Sequence, residues 1–338
     1  MIGNKVLWLL HHNLNGWHRL EMLIAYLTPY PHRRNMHTKK LNDHLYLVDL
    51  KPLGIEKFIA SYVLKGNKKM IVETGPTTSI KNLLTGLDEL GIGKDEVDYV
   101  AVSHIHIDHA GGAGTLLEHL PNATLLVHAK GAPHLAKPEK LWRQTKQVLG
   151  EIADMYGEIR SVPEERIMVA TDGMVVELGE GVRVRVIETL GHASHHLSFY
   201  ENSSRGIFTG DAAGVYVQKL DVLIPTAPPP FSLEMALATL DRFIGLKPKR
   251  LYYTHFGVGD EAIKKLNIYI AQLKLWARVV LEGLENGEDL EAIYGRILEE
   301  DAFTRKAADF IKNHLILRRG VIMQNIEGFA EYFKKARK

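Results

Sequence analysis

The 338-residue chain contains no cysteine. Disulfides are therefore absent, and thiolate nucleophiles, thiolate metal ligands and Cys-held iron–sulfur clusters are excluded. Long apolar runs are missing too: no segment approaches the roughly 20 residues that a membrane helix needs. Lys5–Leu10 is too short, and no small-residue cleavage site follows it, which argues against a secretory signal. A marked charge of either sign is also lacking, since 42 Lys+Arg against 40 Asp+Glu leave a formal +2. That balance gives no electrostatic footprint for nucleic acid. The expectation is a cytoplasmic protein that acts on a small molecule, without a nucleic-acid or membrane partner. Apolar residues, at 46%, suffice for one large core with an appendage or for two domains. Frequent Lys and Glu, with Cys missing, would suit a thermophile.

The densest chemistry lies in Ser103-His104-Ile105-His106-Ile107-Asp108-His109-Ala110-Gly111-Gly112. It follows Val97–Val102, a β-branched stretch that reads as a strand after the Gly91–Gly93 turn. Imidazole and carboxylate are good ligands for zinc, iron or manganese. On a strand His104, His106 and Asp108 would share a face, and a turn at its end can converge His104 and His106 on one ion. The density of ligand-type side chains argues against a chance cluster of polar loop residues. Three further candidates end strand-like runs: His192 after Val182–Gly191, Asp211 after Gly206–Gly210, and His255 after Arg250–Thr254. Ligands at strand mouths are how a rigid scaffold holds a metal.

His-x-His-x-Asp-His followed by Gly-His, Gly-Asp and a late His resembles the metallo-β-lactamase superfamily, over roughly Leu45 to Gly257. The resemblance implies an αββα four-layer sandwich of two mixed β-sheets, with a C-terminal helical appendage like that of glyoxalase II. It implies two divalent metal ions, Zn2+ in the first instance, with iron or manganese also suited to the donors. His104, His106 and His192 would hold the first and Asp108, His109 and His255 the second, with Asp211 bridging. Asp108 would also orient the nucleophile or shuttle its proton. Two such ions about 3.5–4 Å apart can hold a bridging hydroxide and stabilise an oxyanion. Water bound near zinc ionises with a pKa of about 7.

Two departures bear on this likeness. Glu73, in Met70–Gly75, stands where family members often carry Asp; it either orients ligand imidazoles or caps a turn. Asp211–Tyr216 does not match the glutathione-binding loop of glyoxalase II, which weakens a glutathione thioester as substrate. His196 takes a position where glyoxalase-like members repeat a His, supporting the ligands without joining them; for it and for His195 the alternative is a polar strand start. Tyr216 could donate its hydroxyl to a carbonyl oxyanion, as a Tyr does in related lactonases, or simply pack. Leu223–Phe231 is a stiff, proline-rich loop that could wall an apolar pocket or connect rigidly.

Residues 1–40 read as an N-terminal extension without a persistent period, despite His11, His12, His18, His32 and His37 and a short helical run at Leu20–Leu27. Residues 41–258 carry the metal motifs. Phe58–Leu64 and Met70–Glu73 form a hairpin around Lys65–Lys68. Helices are predicted over Thr78–Leu90, Glu139–Tyr156 and Ser232–Ile244, with strands at Thr124–Val127, Leu197–Tyr200 and Ile207–Thr209. From 259 to 338 the pattern is helical, through Glu261–Leu284, Leu290–Leu298, Phe303–Leu317 and Met323–Ala336. These helices could cover the site or form a homodimer interface, and the basic Lys334–Lys338 tail reads as a solvated end.

Hydrolysis by metal-bound hydroxide suits thioesters, lactones and phosphodiesters alike. The leading expectation is a thioester or lactone hydrolase. The alternatives are a phosphodiesterase or nuclease of the same scaffold, an iron enzyme handling oxygen or persulfide, and a metal-binding sensor with little turnover. The Asp211–His255 spacing leaves no room for the large insertion of RNA-processing members. His106 and the helical tail argue against the flavin-linked branch.

Overall fold

Alternating apolar residues on most strands fix the architecture, because successive side chains point to opposite faces and here both faces are buried. The computed structural model describes residues 36–317 and 320–336. The first sheet has seven strands in the order β1 (Thr38–Lys40), β2 (Leu45–Asp49), β3 (Ala60–Lys65), β4 (Lys69–Val72), β5 (Val97–Ala101), β6 (Thr124–His128), β7 (Ile167–Ala170). β1 to β4 pair antiparallel, and β4 to β7 pair parallel. The second sheet runs in the order β15 (Gly257–Gly259), β14 (Arg250–Tyr253), β11 (Gly206–Gly210), β10 (Leu197–Glu201), β9 (Val182–Glu188), β8 (Val175–Gly179). Only β11 and β14 are parallel in it. A separate hairpin joins β12 (Val215–Val217) to β13 (Val222–Ile224).

Between the sheets, Leu45, Leu47, Tyr62, Leu64, Met70 and Val72 meet Val184, Val186, Leu197, Phe199, Phe208 and Tyr252. The rings of Tyr62, Phe208 and Tyr252 lie 4.8–5.5 Å apart. Burying each is worth about 2–3 kcal/mol. The intervening residues, Val48, Val63, Ile71 and Val100 on one sheet and Ile207, Leu251 and Tyr253 on the other, join the helices in a second core. The result is the αββα sandwich of two mixed sheets.

The helices follow local signals. α1 (Ile80–Glu89) buries Ile80, Leu83 and Leu87. The short α2 (Ile107–Ala110) and α3 (Ala113–His119) follow β5, and α4 (Ala132–Ala136) follows β6. The predicted helix over 139–156 is two, α5 (Glu139–Leu149) and α6 (Glu151–Tyr156), because Gly150 at φ 56° breaks it. α7 (Leu233–Gly245) starts where Ser232 Oγ accepts from Met235 N–H. The C-terminal region is helical as expected: α8 (Ala262–Glu285), α9 (Leu290–Glu300), α10 (Ala302–Asn313) and α11 (Val321–Ala336). Among the described residues no helix is long and apolar enough to cross a membrane.

The first sheet begins inside the stretch assigned to the extension. Thr38–Lys40 pairs with β2, and Glu89 Oε2 accepts from Thr38 N and Thr38 Oγ1. The expectations placed on His11, His12, His18, His32 and Leu20–Leu27 lie outside the described residues.

Candidate metal centre

Strand ends from both sheets converge at one end of the sandwich. β5 leads to His104 through Ser103, and His106 stands extended before α2, which carries Asp108 and His109. Thr74 N, Gly75 N and Thr74 Oγ1 all donate to the His109 carbonyl, at 2.9–3.1 Å, and pin that turn. His192 follows β9, Asp211 follows β11 and His255 follows β14. The seven predicted ligands meet in two sets. His104 Nε2 and His192 Nε2 lie 2.8 and 3.1 Å from His106 Nδ1. Asp108 Oδ2 lies 3.3 Å from His255 Nε2 and 3.9 Å from His109 Nε2. Asp211 stands between: its Oδ1 is 3.3 Å from His109 Nε2 and 3.7 Å from His255 Nε2, and its Oδ2 is 3.5 Å from His192 Nε2. His104, His106 and His192 form one group able to hold an ion, and Asp108, His109 and His255 another.

The residues fit a divalent cation. His109 Nε2 and Asp211 Oδ1 are buried without a hydrogen-bond partner, although both point into the cluster. An all-imidazole and carboxylate set suits zinc, iron or manganese. Burial holds His104 and His192 below the usual histidine range and His106 at about 3, so these rings are neutral, as ligands must be. Burial also works against charge on His109, but Asp211, Glu73 and Asp108 overcome it and raise its pKa. Burial likewise opposes ionisation of Asp108 and Asp211, and His109 with His255 outweighs it, holding both below the carboxylate range.

A surrounding layer of hydrogen bonds orients these side chains. His192 Nδ1 donates to the Thr226 carbonyl at 3.2 Å, leaving Nε2 for the centre. Glu73 Oε1 lies 3.4 Å from His109 Nδ1 and accepts from Ser103 N–H at 3.2 Å. His196 supports the bridging residue through its backbone: Nε2 accepts from Asp211 N–H at 3.1 Å. Its Nδ1 then carries the proton and donates to Thr189 Oγ1, Thr189 donates to Ser198 Oγ, and Ser198 to the Thr209 carbonyl. Burial keeps His196 neutral, which this chain of bonds requires. Gly210, at φ 51°, sits so close that a Cβ would lie 2.6 Å from Ser103 Oγ and 2.7 Å from His196 Nε2. His195 has its ring 5.9 Å from that of His106, and burial lowers its pKa to about 4.

Tyr216 is placed otherwise than expected of an oxyanion donor. Its hydroxyl donates to Asp221 Oδ1 at 2.7 Å, and Lys265 Nζ lies 4.7 Å from the ring centre. The β12–β13 hairpin brings Asp221 to the hydroxyl, and burial and that carboxylate push the phenol's pKa up. Tyr216 reaches the site through its backbone, where its N–H donates to the His255 carbonyl at 2.6 Å. The Leu223–Phe231 run begins as β13 and then acts as a connector. Thr226 Oγ1 donates to the Asp211 carbonyl at 2.7 Å, and Asn325 of α11 accepts from Ala227 N–H and donates to the Pro225 carbonyl. Sequence reasoning assigned nothing to Thr226, Thr189 or Ser198. Thr226, the lone hydrogen-bonding side chain between Leu223 and Phe231, was the available signal.

The family profile described as the metallo-beta-lactamase superfamily matches residues 55–255. Over 261 residues the chain is 32% identical to the metallo-beta-lactamase fold-containing protein ST1585 of Sulfurisphaera tokodaii, covering 76% of this chain and 92% of that one. The crystal structure of ST1585 aligns with a TM-score of 0.59 at 30% identity, covering 68% of this chain and 85% of that one. A metallo-beta-lactamase family protein of Thermus thermophilus, TTHA1429, shares the fold with a TM-score of 0.64 at 21% identity, over 88% and 95% of the two chains. A 150-residue stretch is 27% identical to the atrochrysone carboxyl ACP thioesterase of Aspergillus chevalieri, covering 43% of this chain and 37% of that protein. With its motif residues brought together at the mouths of two sheets, the chain belongs to the metallo-β-lactamase superfamily.

Proposed function

We propose that this protein is a metal-dependent hydrolase of thioesters or lactones, using two divalent ions, zinc in the first instance. The observation that carries the reading is Asp211, whose two carboxylate oxygens face opposite sets of donors at 3.3–3.7 Å. Divalent ions bound to these sets would supply an acidified water and a Lewis acid for a carbonyl oxygen. The chain's own residues do the rest. Asp108 is the more exposed carboxylate, with 26% of its side chain accessible, and it orients the attacking water and accepts its proton. Glu73 and Thr226 hold the ring protons of His109 and His192 on Nδ1, so that Nε2 faces inward. His196 fixes the Asp211 backbone. The thioesterase name of the Aspergillus relative favours an activated acyl substrate.

Metal analysis with a substrate screen tests the reading. Purified protein is expected to carry about two ions per chain and to hydrolyse a thioester or lactone, with a rate that rises with pH to a plateau. Asp211→Ala should lose metal more readily than His104→Ala, because a bridging residue serves both sets. Full metal content in Asp211→Ala, or turnover of a phosphodiester alone, would overturn the proposal.

A further inference from the structure

His106 and Asp108 are the two ligands that are not fully buried, so the centre opens on their side. Three segments border that opening. The loop between β2 and β3 brings Leu53 and Phe58, and the Phe58 ring is 5.5 Å from that of ligand His255. α2 and α6 bring Ile107 and Tyr156 into one apolar cluster, which Leu53 and Ile316 complete. The segment after α10 adds His314, its ring 4.4 Å from that of Phe58.

Within this apolar surround stand two polar groups without a hydrogen-bond partner among the described residues. Tyr156 is 2% exposed, and its hydroxyl has no hydrogen-bond partner among the described residues. Such a group costs free energy unless something accepts from it. Its backbone is held in place: Thr78 Oγ1 donates to the Tyr156 carbonyl at 3.2 Å, and Thr77 Oγ1 to the Glu158 carbonyl at 2.8 Å. Burial and then the charge of Asp108 oppose ionisation of the phenol, so it remains a donor. His314 Nδ1 accepts from Ile316 N–H and Leu317 N–H at 3.3 and 3.2 Å. The neutral ring therefore carries its proton on Nε2, which makes no hydrogen bond among the described residues.

We propose that these residues form an acyl-binding pocket. Leu53, Phe58, Ile107 and Ile316 take an unbranched hydrocarbon chain, while Tyr156 Oη and His314 Nε2 donate to the oxygen atoms at its reacting end. The pocket makes the C-terminal region part of the site and rests on the acyl-hydrolase reading above.

The test uses the full-length, metal-replete protein, calorimetry with sodium decanoate and sodium acetate, and kinetics with a decanoyl thioester. Tyr156→Phe removes only the hydroxyl. His314→Asn keeps an acceptor near the Nδ1 position and removes the Nε2 donor. Decanoate should bind far more tightly than acetate, since each buried methylene contributes about fourfold. Each variant should weaken decanoate by about tenfold or more, as one lost hydrogen bond to a carboxylate implies. kcat/KM for the decanoyl thioester should fall by at least as much, while metal content holds. The Tm of Tyr156→Phe should not fall, because its hydroxyl has no partner among the described residues to lose. Equal binding of decanoate and acetate, or variants that bind decanoate as the wild type does, would overturn the pocket. Decanoate binding that depends on both residues, in a protein that cleaves neither thioester nor lactone, would sink the acyl-hydrolase reading and leave the pocket standing.

Discussion

Glu73 holds a left-handed φ of 71° with its carboxylate against His109 and the Ser103 amide. A residue other than glycine in that region costs about 1 kcal/mol or more, so neighbours must impose it. Ser61 Oγ does so by donating to the Glu73 carbonyl at 2.7 Å. Removing the charge while keeping the shape should loosen the metal rather than the fold. Glu73→Gln is expected to weaken metal affinity by about tenfold or more, measured by chelator competition, with little change in Tm. Unchanged affinity would reduce Glu73 to a turn residue. The candidate ligands were legible in sequence because their pattern is local: His104 to His109 are fixed by spacing, and His192, Asp211 and His255 each end an apolar run. Thr226 offered only its side chain as a signal, and its action on His192 was not legible, because it runs through a carbonyl that every residue possesses. Tyr216 misled for a related reason. Its distance from Asp211 along the chain says nothing of where the hydroxyl points, and Asp221 claims it.

At the scale of elements, the C-terminal helices hang on one buried side chain. Asp301 Oδ2 accepts from Gln272 Nε2, Trp276 Nε1 and Thr304 Oγ1 at 2.6–3.0 Å. Its Oδ1 caps α10 by accepting from Phe303 N–H and Thr304 N–H. Asp301→Ala would leave the Trp276 N–H and one of the two Gln272 N–H groups unpaired and remove the cap, at an expected cost of about 2–4 kcal/mol in chemical unfolding. A red-shifted Trp emission should accompany it, and a loss under about 1 kcal/mol would show that the helices are held otherwise. The four helices after Gly259 were visible from apolar spacing, but this hub was not, since it joins α8 to α10 across 25–29 residues. Two element errors have local causes. Gly150 divides a periodic run that otherwise reads as one helix. The β12–β13 hairpin is only three residues a side, too short for its alternation to stand out from a loop.

Over the whole molecule, several neutral imidazoles are buried at a single seam between the sheets. Their titration sets the acid limit of the metal-free protein. His104, His106, His192 and His196 all have folded pKa values below the ordinary 6.5, chiefly through burial. The unfolded chain then binds more protons below about pH 6.5, so stability falls as pH falls. For His106, with a folded value of about 3, the contribution is complete above about pH 6.5 and lost progressively toward pH 3. At pH 5 that ring alone removes about 2 kcal/mol. His109, raised by its carboxylates, has the opposite sign: its contribution is present below pH 6.5 and lost as pH rises through the higher folded value. His195, at about 4, and His314 are lowered by burial as well, so with six rings against one, unfolding of chelator-treated protein should need less denaturant at pH 5 than at pH 7, and a flat or reversed trend would refute this. Which strands build which sheet was the least legible feature, because strands buried on both faces do not announce their partners. The two-sheet sandwich came from the family likeness, not from periodicity, and the β4–β7 parallel run and the β11–β14 pair were read from neither.

The seam between the sheets also sets an order in time. Glu73 and Thr254, whose side chains meet at 3.5 Å beside the centre, are 181 residues apart in sequence. At the usual pace of translation, roughly 5–20 residues per second, the first emerges from the ribosome roughly 10–35 s before the second. For most of that interval, once His104–His109 have emerged, a nascent chain carries the His-x-His-x-Asp-His residues without His255 and with its second sheet unfinished. Whatever guards those exposed imidazoles from stray ions during synthesis must therefore act on half a site.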